Sequence, residues 1–109
     1  MSCCSFRPID RNEGIETTQQ AIKYGINYVD TAPFYNTSED VLGDALKGVP
    51  RNAYYIATKV GRYWSINDNG KFDYADTFDY TRSGVIKGFE KSLERLGLSY
   101  VDVIQVCYL

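Results

Sequence analysis

Three short runs rich in β-branched and aromatic residues, at 26–32, 54–60 and 101–106, are each preceded by a stretch with helical periodicity. This alternation constrains the fold more than any other feature of the chain. Strands separated by whole helices do not form hairpins. They pair in parallel through crossovers that are almost always right-handed, so the order helix, strand, helix, strand, helix, strand predicts an α/β fold with a parallel sheet.

The punctuation supports the reading. Residues 13–24 predict a helix with Ile15, Thr18 and Ile22 on one face and Ala21 beside them, stopped by Gly25. Pro33 closes the first strand run. Thr37-Ser38-Glu39-Asp40 resembles a capping box ahead of an apolar stripe of Val41, Leu42, Ala45 and Leu46, and Gly48 and Pro50 end that helix. Gly61 breaks the second strand run. Residues 61–80 follow as an irregular insertion with a turn signal at Asn69-Gly70, the length of a lid or binding loop rather than a plain connector. Trp64 within it either lines a pocket or simply packs. Phe-Asp-Tyr occurs at both 72–74 and 78–80, too short a duplication to be a structural repeat. Thr81 then caps a long helix whose predicted buried face is Val85, Ile86, Phe89, Leu93 and Leu96. Gly84 and Gly88 in it predict close approach of a neighbour, and Gly97 ends it.

Three parallel strands leave two open sheet edges, and nothing in the sequence protects them. The expectation is a piece of a larger α/β fold, in which residues 1–109 are part of one domain and 1–12 form a disordered end. An alternative is an interaction fragment that associates with itself or another chain through those edges.

Composition narrows the function. A hydrophobic fraction of 44% against 24% charged residues is globular, and a net charge of −2 carries no footprint for nucleic acid. No run approaches a membrane span, and the first residues lack the basic opening and apolar stretch of a signal peptide, so no membrane partner is expected. Three cysteines, Cys3, Cys4 and Cys107, make neither a disulfide framework nor a metal-ligand pattern; they suggest a reducing compartment, most simply the cytoplasm. Acylation of the Cys3–Cys4 pair is a looser alternative. The absence of histidine removes the Ser-His-Asp triad and the usual catalytic zinc sets from this chain.

Polar residues at strand ends carry the chemistry. Asp30 and Lys59 fall at or beside the C-terminal ends of the first two strand runs, on the face where parallel α/β folds build their sites. Tyr35 lies in the loop after Asp30 on the same face. A lysine ammonium near a tyrosine favours the phenolate and brings the phenol toward the working range of a general acid, with the aspartate holding the lysine. Taken singly, Asp30 also fits a turn-former and Lys59 a solvated strand end. No GxGxxG or GxxxxGK[ST] phosphate cradle appears. Cys107 fits a small buried side chain, and Lys23, Lys47 and Arg51 fit solvated faces.

These residues sit in recognisable wording. Gly25-Ile26-Asn27-Tyr28-Val29-Asp30-Thr31-Ala32-Pro33-Phe34-Tyr35 resembles the aldo-keto reductase signature around its catalytic Asp and Tyr. Ala57-Thr58-Lys59-Val60-Gly61-Arg62-Tyr63 resembles the strand of the catalytic lysine. Residues 92–106 resemble the helix and strand that lead to the catalytic His. The wording, with Val49-Pro50-Arg51 and Phe78-Asp79-Tyr80, is most similar to the branch of L-galactose dehydrogenase and D-threo-aldose dehydrogenase. The resemblance, over 13–106, implies a fragment of a (β/α)₈ TIM barrel matching its second to fourth strands. It also implies reduction of a small carbonyl, or oxidation of a sugar or alcohol, with NAD or NADP. Tyr35 would be the general acid or base, Lys59 its activating cation and Asp30 the holder of Lys59 and a contact to the cofactor. The position of the family's catalytic His holds Cys107, and a barrel needs about 250 residues. The resemblance therefore also implies a truncated, inactive chain with doubtful cofactor binding.

Overall fold

The computed structural model describes residues 10–35, 37–63, 70 and 77–106. Three helices and three strands alternate as expected: α1 (Arg11–Lys23), β1 (Tyr28–Asp30), α2 (Ser38–Ala45), β2 (Tyr55–Val60), α3 (Arg82–Leu96) and β3 (Val103–Val106). The sheet is parallel throughout, in the order β1-β2-β3. Val29 pairs with Ile56, Asp30 with Ala57, and Lys59 with Gln105.

Helix boundaries follow their caps. The Asp10 carboxylate accepts from the N–H groups of Asn12 and Glu13, so α1 starts at Arg11, two residues before its periodic pattern, and residues 10–12, expected in a disordered end, instead form its cap and first turn. The Thr81 hydroxyl accepts from the Gly84 N–H at the start of α3, and Gly97 ends that helix at φ 67°. At α2 the expected capping box is not formed. Thr37 is the cap residue, but its side chain makes no cap bond, and Asp40, the acid three residues on, is exposed.

The helices cover one face of the sheet. Val29 and Ile56 from the strands meet Leu42, Leu46 and Leu96 from the helices, with Tyr54 at the base and Ile22, Val49, Leu98 and Val101 around them. Burying each of the larger aliphatic side chains contributes about 1.5–3 kcal/mol. Gly43 of α2 faces the Arg95 carbonyl so closely that a Cβ would strike backbone, which fixes how near α2 and α3 approach. Gly84 and Gly88 are also at close approaches, to the Asp79 carboxylate and the Tyr63 ring.

Three expectations need correction. Ile86 is not on the buried face of α3: it is 47% exposed, on the side that no described element covers. The third strand begins at Val103, not at 101, because Asp102 turns its side chain into the ladder. Its carboxylate accepts from the Ile56 N–H at 2.9 Å, while its own N–H donates to the Ile56 carbonyl at 2.9 Å. Arg51 is not a solvated charge. Its guanidinium bonds Asp102 at 2.7 Å and lies over the rings of Tyr54 and Tyr100, 4.8 and 4.2 Å from their centroids. The Arg51 bond and the Ile56 N–H hold the Asp102 carboxyl below its ordinary range.

Candidate active site

Alternation along the strands sorts the side chains. Val29, Ile56 and Thr58 point to the helices, so Asp30 and Lys59 point to the opposite face of the sheet. Near the C-terminal ends of β1 and β2, Lys59 reaches across to its neighbour strand. Its Nζ donates to both carboxylate oxygens of Asp30, at 3.0 and 3.1 Å, and to the Thr31 carbonyl at 3.1 Å. These acceptors match the three donors of an ammonium. The Lys59 side chain is 15% exposed and that of Asp30 28%, so the pair is partly shielded from water.

The same ammonium lies over the ring of Tyr35, 4.9 Å from its centroid. Tyr35 is fixed by the turn that joins β1 to α2. Its N–H donates to the Ala32 carbonyl at 3.1 Å, and its carbonyl accepts from the Ser38 N–H at 3.1 Å. The fold thus brings Asp30, Tyr35 and Lys59 together from two strand ends and one loop. Cys107 and Trp64 lie outside the described residues. Beside the cluster, the Arg62 guanidinium stacks on Phe34 and Phe78, 3.7 and 5.2 Å from their centroids.

Behind the cluster sits a group that sequence reasoning missed. The Ser38 and Thr31 hydroxyls share a buried hydrogen bond of 2.9 Å. Glu39, 1% exposed, accepts from the Thr58 hydroxyl at 2.8 Å and from Arg95 at 3.0 Å. The signal was present in the spacing. Glu39 precedes Leu42 by three residues and Leu46 by seven, which puts it on the apolar stripe of α2.

The sequence model of the Aldo/keto reductase family matches residues 4–108, nearly the whole chain. The chain belongs to the aldo/keto reductase family. Within it, the chain is 39% identical over 103 residues to L-galactose dehydrogenase of Arabidopsis thaliana, a match that spans 91% of this chain and 29% of that protein. It is 32% identical over 114 residues to D-threo-aldose 1-dehydrogenase of a Pseudomonas species, spanning 91% and 35%. The glycerol dehydrogenase of Gluconobacter oxydans superposes with a TM-score of 0.75 at 28% identity, over 95% of this chain and 32% of that structure. The chain therefore spans about a third of the length of these family members, and its strands and helices are a section of their TIM barrel.

The cluster also fits the reacting end of a nicotinamide cofactor. Asp30, Tyr35 and Lys59 gather hydrogen-bonding groups and a phenol at a sheet face over which no helix lies among the described residues. The phosphate end has no counterpart among the described residues.

Proposed function

We propose that this chain carries the proton-transfer part of a nicotinamide-dependent site that reduces small carbonyls or oxidises sugars and alcohols. Tyr35 is the general acid or base, whose hydroxyl gives a proton to the nascent alkoxide or takes one from the alcohol. Lys59 offsets negative charge developing on the phenolic oxygen, and Asp30 fixes Lys59 and would also contact the NAD or NADP cofactor. The cofactor, when bound, supplies or accepts the hydride. The observation that carries this reading is the Lys59 ammonium, held by Asp30 and the Thr31 carbonyl while it lies over Tyr35. The names of the sugar dehydrogenase relatives support an aldose or similar small carbonyl as substrate.

The test uses a working barrel. Residues 10–106 are exchanged for the matching segment of the Arabidopsis L-galactose dehydrogenase, and reduced nicotinamide is followed with a panel of aldoses. Turnover is expected in the chimera, and Tyr35→Phe is expected to lower kcat by about 10²–10⁴, the range for a lost general acid–base group. A Tyr35→Phe chimera within about threefold of its parent overturns the assignment.

On its own, we read the 109-residue polypeptide as catalytically inactive, because barrel sites draw on the ends of several strands and Cys107 stands at the family's His position. The sparse cysteines support a reducing compartment such as the cytoplasm. A second reading, self-association through the sheet edges, is favoured by Ile104 and Val106 of β3, 48% and 50% exposed.

A further inference from the structure

Two consecutive residues of α2 each grip one threonine, and each threonine is the chain neighbour of one half of the Asp30–Lys59 pair. Ser38 bonds Thr31, which follows Asp30 and gives its carbonyl to Lys59. Glu39 bonds Thr58, which precedes Lys59. All four of these residues are buried, on the helix side of the sheet or in the turn beside it. Arg95 of α3 supplies the opposite charge that a buried carboxylate requires. One rigid element, the first turn of α2, is therefore bonded to both strand ends that carry the ion pair. Tyr35 is tied to the same turn through the Ser38 N–H.

We propose that Ser38 and Glu39 are positioning residues. They act through Thr31 and Thr58 to set the spacing of Asp30 and Lys59 from behind the sheet, without contact with substrate or cofactor. The inference rests on the proposed function for its catalytic meaning, but the coupling it asserts is a property of the chain alone. Removing either grip should let Lys59 leave Asp30 more often while the fold stays intact.

The experiment reads the Lys59 amine directly. The full 109-residue chain is treated with trace acetic anhydride, and acetylation of Lys59 is quantified by mass spectrometry against that of the exposed Lys47. Ser38→Ala and Thr58→Val should each raise the relative rate by about fivefold, the factor that one net hydrogen bond sets on a local opening equilibrium. Thr58→Ser, which keeps the hydroxyl, should restore the parent rate. Asp102→Asn is the control for general loosening, since it removes the charge that Arg51 pairs with at the opposite end of the sheet; it should leave the ratio unchanged. If Thr58→Val does not fold, Ser38→Ala decides alone. An unchanged ratio in Ser38→Ala, or an equal rise in Asp102→Asn, overturns the proposal. No step of this assay needs turnover, so a chimera without dehydrogenase activity would refute the functional reading and leave the coupling result standing.

Discussion

Lys59 crosses from β2 to β1 and sets its ammonium against both carboxylate oxygens of Asp30, at 3.0 and 3.1 Å. The two residues are 29 positions apart in the chain, and a whole crossover helix lies between them. Parallel pairing of Asp30 with Ala57 puts Lys59 two residues further along the neighbouring strand on the same face.

The pair is expected to be coupled in folding. Asp30→Asn leaves a partly buried ammonium without its counter-charge, and Lys59→Met leaves the carboxylate likewise. Each change should cost about 1–3 kcal/mol. The double variant should lose less than the sum of the two, because it removes both charges together. Urea unfolding of the four proteins measures the coupling, and simple additivity would show that the two side chains are not coupled in stability.

Acid should weaken the chain through Asp102. Its carboxyl is held below the ordinary value of 3.8 by the Arg51 bond, reinforced by the Ile56 N–H. A group with a depressed folded value stabilises the fold fully above its unfolded value, and the contribution fades as pH falls through the folded value. The loss therefore begins as pH falls through the ordinary carboxylate range and is complete only below it. Asp102→Asn should flatten that limb of the stability–pH curve while leaving the slope above about pH 6 as it was. Denaturant midpoints across the range check both limbs.

How much was legible depended on where the determining interaction lies. The alternation of helix and strand and the order of elements are set by periodicity and by turn residues such as Gly25 and Gly97, all local signals; the Asp30–Tyr35–Lys59 grouping needed in addition that β1 and β2 be neighbours. Arg51 read as solvated because its partners are Asp102 and Tyr100, about fifty positions away, and no local pattern announces a guanidinium between two rings. Glu39 went unread because the capping-box spacing points to Asp40, three residues after Thr37, as the acid of that turn. Only the tertiary fold shows Thr58 and Arg95 converging on it. Ile86 failed for the opposite reason: a periodic apolar residue marks a face, and what covers that face is a matter of tertiary packing.

The isolated polypeptide should bind nicotinamide cofactors poorly. The described residues hold the reacting end of the proposed site and no phosphate cradle, and phosphate contacts carry much of a dinucleotide's affinity. Titration of the 109-residue chain with NADH and NADPH, read by protein fluorescence, should show no saturable quenching in the micromolar range. Tight saturable binding would mean that three strands suffice for a cofactor site.

Self-association of the isolated polypeptide has a specific geometry to be tested. β3 pairs with β2 on one side, and among the described residues no strand pairs with its other side. Ile104 and Val106 stand in register with Thr58 and Val60, so they point to the helix layer, yet each remains half exposed. An unpaired strand edge that also shows apolar side chains is a template for another chain. Light scattering on the 109-residue chain should give a mass that rises with concentration. Ile104→Lys with Val106→Lys should lower it toward the monomer, because two ammonium groups on one short edge repel an identical edge. Both positions are half exposed in the parent, so their replacement costs little folding free energy, and retained helical circular dichroism would confirm that the fold survives. A parent chain that stays monomeric at every concentration would remove the self-association reading and leave the exposed β3 face without a partner in the isolated chain.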